Sequence, residues 1–149
     1  MISSITLGLV HGSCVDFDGK SILAVGPSGS GKSSLALNLI ALGGMLVSDD
    51  QLLLSDDVDG VKISPPDILA GKIEARYIGI LNCPYVKHSR LNLVVDLTAK
   101  PQDRLPHQHS LKIGAHHVEI IAGQGVENLP IAVKLLNLYG CDKAVGSIT

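Results

Sequence analysis

Residues 26–33, Gly26-Pro27-Ser28-Gly29-Ser30-Gly31-Lys32-Ser33, fit the pattern G-x-x-x-x-G-K-S, and the segments on either side decide how that pattern is read. Residues 20–25 (KSILAV) read as a strand; residues 33–42 (SSLALNLIAL) set apolar side chains at helical spacing until Gly43-Gly44 stops them. A glycine-rich turn between a strand and a helix is the setting in which this pattern works as a P-loop. Gly26 and Gly31 let the backbone turn tightly, so that past Pro27, which has no N–H, the consecutive N–H groups of Ser28, Gly29 and Ser30 point inward at phosphate oxygens. Lys32 then reaches the outer phosphates, and the Ser33 hydroxyl ligates Mg²⁺. The stretch therefore predicts a site for a nucleoside triphosphate.

Working outward, residues 5–10 (ITLGLV) and 13–17 (SCVDF) read as strands around His11-Gly12, and Asp18-Gly19 as the hairpin turn into residues 20–25. After the helix, residues 45–47 (MLV) form a short buried strand ending on Ser48-Asp49-Asp50. Residues 52–54 and 61–63 read as a hairpin around an acidic turn, and Pro65-Pro66 breaks regular structure. Residues 78–81 (IGIL) and 91–97 (LNLVVDL) are the next apolar strands, with 82–90 a loop. Residues 98–110 read as a surface connection and 117–121 (HVEII) as a strand. Residues 128–139 read as a helix with Asn128 as N-cap, Pro130 in its first turn and Gly140 at its stop.

A doubly wound nucleotide-binding fold alternates strands and helices throughout. Only two helices are legible here, so the expected fold class is α/β, a P-loop on a mixed, largely antiparallel β core with few helices. Residues 1–140 are expected to form one catalytic domain and residues 141–149 a flexible tail.

The composition narrows the function classes. Hydrophobic residues make up 46% of the 149 positions and aromatics only 3%, which fits a core of Leu, Ile, Val and Ala inside a layered sheet. A formal net charge of −2 without a basic block gives no footing for nucleic-acid binding. No apolar run reaches the roughly 18 residues of a membrane span. Cys14, Cys83 and Cys141 are scattered without a CxxC pair, as expected of reduced thiols in a cytoplasmic protein.

Further positions beyond the loop carry candidate chemistry. Asp49-Asp50 follows a buried strand close to the P-loop, where carboxylates hold metal-bound water or accept a proton; the bland alternative is a solvated acidic turn. Glu74 flanks Ala75 with Arg76, and from the residues alone an exposed ion pair serves as well as a metal site. His11 and Arg104 read equally well as surface residues.

Taken in order, these pieces resemble the catalytic domain of the bacterial HPr kinase/phosphorylase family. His11-Gly12 precedes the third strand, GPSGSGKSSLALNLI matches the P-loop and its helix, and VSDD matches the aspartate pair. IEARYIGIL (73–81) is similar to the LEIRGLGI signature, and DRLP (103–106) to a DRL segment. The resemblance spans about residues 5–140. It implies ATP and Mg²⁺ as cofactors and a serine on an HPr-type phosphocarrier protein, or a nitrogen-type relative, as acceptor. It implies Asp50 as general base and His11 as a polarising neighbour. Lys32 would sit on the phosphates, Ser33 and Glu74 on the metal, and Arg104 on the charge of the transferring group. It also implies a homo-oligomer, a hexamer in that family, and a role in regulating carbon or nitrogen supply.

The sequence departs from the family pattern in three places. Only 25 residues precede the P-loop, which implies a short form without the N-terminal domain. Ala75 and Tyr77 stand where the signature has a branched apolar residue and glycine. Residues 110–117 (SLKIGAHH) offer Lys112 as their only Lys or Arg where the family has a basic segment linked to dephosphorylation, so kinase activity is expected ahead of phosphorylase activity. A small-molecule P-loop kinase and a nucleotide-binding switch without transfer chemistry are the competing readings.

Overall fold

The strands that read as continuous apolar runs are those buried on both faces. In the computed structural model, which describes residues 1–66, 70–105 and 109–142, these are β2 (Ser13–Phe17), β3 (Lys20–Val25) and β9 (Ser89–Asp96). Their side chains alternate between two cores. Ile22, Ala24, Leu93 and Val95 face one cluster with Val15 and Phe17. Leu23, Val25, Leu91 and Val94 face the other with Cys14. The first cluster is covered by α1 (Lys32–Ala41) and α2 (Leu129–Tyr139) through Leu35, Ala36, Leu39 and Val133. The second is closed without a helix, by β5 (Gln51–Asp57), β6 (Gly60–Ser64), β10 (His109–Ile113) and β11 (His116–Ala122), with Ile2, Ile5 and Val86 packed against it.

The remaining strands are β1 (Gly8–His11), β4 (Met45–Ser48), β7 (Lys72–Ala75) and β8 (Gly79–Asn82). The main sheet runs β1-β5-β6-β9-β3-β2-β4. β9 is its pivot. One edge takes β3 in parallel; the other takes β6 antiparallel at Ser89–Arg90 and then β11 in parallel from Leu93 to Asp96. All other pairings between the described strands are antiparallel, so the mixed, largely antiparallel α/β architecture is as expected.

Several elements depart from expectation. Residues 78–81 do not enter the core: β8 pairs only with β7, a strand the sequence reading missed, and it is exposed along its length. The ribbon is anchored instead by Ile73 and Ala75 of β7. The expected surface connection 98–110 ends in β10, whose hairpin with β11 turns at Gly114-Ala115. The first strand begins at Gly8, not residue 5. Asn128 does occupy the N-cap position, but with φ of 55° and no side-chain cap. The expected tail at 141–149 falls, from residue 143 onward, outside the described residues.

Two polar knots fix the layers. Lys134 Nζ donates to the Leu42 carbonyl at 2.6 Å and lies 5.4 Å from the centre of the Phe17 ring, tying α2 to the negative end of α1. At the C-terminal end of β9, Thr98 donates its hydroxyl and N–H to Asp96 Oδ1 at 2.6 and 2.9 Å, and the Ile2 N–H donates to Oδ2 at 2.7 Å. Cys14 belongs to the core: burial pushes its thiol up to about 12, so it packs as a small protonated group.

Burial alone would drive the Asp96 carboxyl up, but the Thr98 and Ile2 donors, with the N-terminal ammonium, outweigh it and hold the group below its ordinary 3.8. The folded state therefore holds fewer protons than the unfolded one through this range. The stabilisation is complete above 3.8 and is lost as pH falls through the lower native value. Asp96→Asn is expected to cost about 1–3 kcal/mol at neutral pH and to flatten the acid limb of stability. Urea unfolding across a pH series measures both; an acid limb as steep as in the wild type would assign it to other carboxylates.

Candidate active site

The loop between β3 and α1 starts next to the Asp96 knot. The Leu97 N–H donates to the Val25 carbonyl at 3.0 Å, and Gly26 follows at once. A side chain at Gly26 is excluded twice, by a φ of 151° and because a Cβ there would lie 2.6 Å from Ser30 Oγ. Gly29 and Gly31 also have positive φ, 84° and 100°, and the Ser30 N–H closes the turn onto the Pro27 carbonyl at 3.1 Å. The loop thus depends on glycine where the sequence places it.

The helix that follows has an open N-terminus. No side chain caps α1, and no acidic residue lies in its first turn. Its first N–H groups have no intrahelical partner, and the helix dipole leaves that end positive. Lys32 Nζ folds back onto the Gly26 carbonyl at 2.6 Å, which holds the ammonium over the loop. Ser30 Oγ is buried and without a hydrogen-bond partner among the described residues. An orphaned hydroxyl beside uncapped donors is what an anion-binding cradle presents, so these residues fit a phosphate group.

Asp49 and Asp50 occupy the bend between β4 and β5 rather than the end of a strand. They do different things. Asp49 is half-buried and accepts from Ser13 Oγ at 2.6 Å and from Ser33 Oγ at 3.0 and 3.2 Å. Asp50 is exposed and left-handed, with φ of 79°, and its carbonyl accepts the Gly12 N–H at 3.0 Å. Gly12 is confined too: a Cβ there would lie 2.7 Å from the Ala24 carbonyl oxygen.

Around these groups lies a cavity of about 710 Å³. Of the sequence candidates, Ser28, Gly29, Gly31, Lys32, Ser33, Asp50 and Glu74 line it. Gly26, Pro27 and Ser30 form the loop behind. His11 pairs with Gln51 on the β1–β5 ladder, and Arg104 lies exposed in a bend; neither lines the cavity. The cavity also takes in Ser13, Ser34, Leu37, Asp49 and Arg76. Ser13 is the residue sequence reasoning passed over, and only its cross-chain partner reveals it. Arg76 was legible as a neighbour of Glu74, and it lies in the turn that follows β7.

Three carboxylates (Asp49, Asp50, Glu74) and two cations (Lys32, Arg76) line the cavity, a net of one negative charge. A polyphosphate entering such a site needs a divalent cation with it, and the hydroxyl and carboxylate oxygens present are the hard ligands that Mg²⁺ takes. A second cavity of about 380 Å³ lies at the other end of β3, beside Gly19, and none of the candidate residues line it.

Known proteins share sequence and fold with this chain. Over 108 residues the chain is 37% identical to the HPr kinase/phosphorylase of a Geobacillus species, aligning 64% of this chain with 35% of that protein. Over 103 residues it is 35% identical to the HPr kinase/phosphorylase of Bacillus cytotoxicus, aligning 64% of this chain with 33% of that protein. The matched part is about a third of the length of these curated relatives. The fold superposes on the HPr(Ser) kinase/phosphatase from Coxiella burnetii with a TM-score of 0.74 and 27% identity, covering 86% of this chain and 92% of that one. No described helix is long and apolar enough to cross a membrane. The sequence profile of the HPr Serine kinase C-terminal domain matches residues 6–135, and the chain belongs to that kinase family.

Proposed function

We propose that this domain is an ATP- and Mg²⁺-dependent serine kinase acting on an HPr-type phosphocarrier protein in the cytoplasm. The observation that carries the reading is the Ser33–Asp49 hydrogen bond at the uncapped N-terminus of α1, with Lys32 beside it. Bound Mg–ATP supplies the transferable phosphoryl group. The loop N–H groups and Lys32 hold phosphate oxygens and offset their charge, while Ser33, Asp49 and Glu74 supply oxygens toward the metal. Asp50, exposed on the cavity rim, accepts the proton of the incoming serine hydroxyl.

A small-molecule kinase is the weaker reading. Among the described residues Arg76 is the one cation lining the cavity besides Lys32, too few to clamp a small anionic acceptor as well as the nucleotide. The kinase direction is favoured over phosphorolysis because residues 110–117 form a hairpin with Lys112 as their only Lys or Arg.

The test incubates the chain with Mg²⁺, ATP radiolabelled at the γ-phosphate, and an HPr-type carrier or its serine-to-alanine variant. Label is expected on the wild-type carrier alone. Nucleotide binding without transfer to any acceptor would make the protein a switch; label on a small molecule would make it a metabolite kinase.

A further inference from the structure

β2 carries Cys14, Val15 and Phe17 into the cores, yet it opens on a serine that is 2% exposed. Burying a hydroxyl in such surroundings is unfavourable unless it is hydrogen-bonded. Ser13 Oγ spends its one proton on Asp49 Oδ1 at 2.6 Å, and the same carboxylate takes the Ser33 proton. We propose that Ser13 is a positioning residue for the metal end of the phosphate site, holding Asp49 in the orientation that turns the Ser33 lone pairs toward the cation. The inference rests on the nucleotide-and-metal reading above.

Asp49 lies in a bend, not in a strand, so no ladder fixes its backbone on both sides. Its χ2 is a broad torsion, and the backbone alone leaves the carboxylate free to turn. Ser13 sits on a strand paired with β3 on one side and β4 on the other, so its backbone is held from both sides of the strand. A short, charge-assisted O–H···O⁻ bond from that strand locks the carboxylate plane. The consequence falls on Ser33. A serine hydroxyl has one proton and two lone pairs. While the proton is given to Asp49, the lone pairs remain for a metal. If Asp49 turns away, the proton competes for the side that a cation needs.

The test follows binding of a fluorescent ATP analogue by the whole chain while Mg²⁺ is titrated. In Ser13→Ala the metal-free affinity is expected to match the wild type, while the Mg²⁺ concentration for half-maximal tightening rises about tenfold. Ser13→Thr keeps the hydroxyl and is expected to restore most of the response. In an Asp49→Asn background, Ser13→Ala is expected to add no further loss. An unchanged Mg²⁺ titration in Ser13→Ala overturns the positioning role, as does an equal loss of affinity with and without the metal. Wild-type binding indifferent to Mg²⁺ overturns the nucleotide-and-metal reading itself, and this inference falls with it.

Discussion

Lys32→Ala is expected to lower phosphoryl transfer roughly 10²–10³-fold, about 3–4 kcal/mol of transition-state stabilisation. The ammonium is held against the Gly26 carbonyl at 2.6 Å, so it is already in place over the loop before any ligand arrives. A preorganised charge of this kind costs no reorganisation at the moment of reaction, and in a partly dry site it acts at full strength. Among the described residues the only other cation lining the cavity is Arg76, which lies outside the loop and leaves the loop itself without a second positive side chain. Lys32 belongs to neither core cluster, so the variant is expected to fold and melt like the wild type. The measurement is kcat/KM for carrier phosphorylation beside a thermal melt. Transfer at the wild-type rate in a folded variant would remove Lys32 from the phosphate site.

Asp50→Asn is expected to slow transfer roughly 10²–10⁴-fold, the usual loss when a general base is removed, while nucleotide affinity survives. The two aspartates are adjacent in sequence and unlike in structure. Asp49 is engaged by two serine hydroxyls; no hydrogen bond among the described residues ties the Asp50 carboxylate, which lies exposed on the rim. Asparagine is the right replacement because the backbone at Asp50 is left-handed, with φ of 79°, and asparagine tolerates that conformation better than alanine does. The carbonyl that accepts the Gly12 N–H is untouched by the change. ATP affinity and carrier phosphorylation measured side by side decide the role. Transfer at the wild-type rate rules out Asp50 as the base, and joint loss of binding and transfer moves it to the nucleotide or the metal.

Much of this was readable from local pattern. The apolar runs of β2, β3 and β9 are continuous because both faces of those strands are buried, and α1 and α2 announce themselves by spacing and by Gly43 and Gly140 at their ends. The loop glycines at 26, 29 and 31 are required by backbone angles that follow from the loop's own geometry. The fold class was therefore legible residue by residue, and so was the glycine-rich turn that we propose as the phosphate cradle. Where local pattern misled, the cause was pairing. Residues 78–81 are as apolar as a core strand, but β8 has one partner and a free edge, so their apolar side chains face outward.

The resemblance named Asp50 as the base, but the backbone geometry that separates it from Asp49 was out of reach for the same reason. An extended backbone would have set the two side chains on opposite sides, but the chain bends there, and Asp50 takes a left-handed turn instead. Ser13 and Asp49 are 36 residues apart, and they meet because β2 pairs with β4 through a register shift at Cys14. Sequence periodicity records which face of an element is apolar, since burial acts on each residue where it stands. Which two polar groups touch across the sheet depends on strand order and register, and those are settled only when the whole core closes.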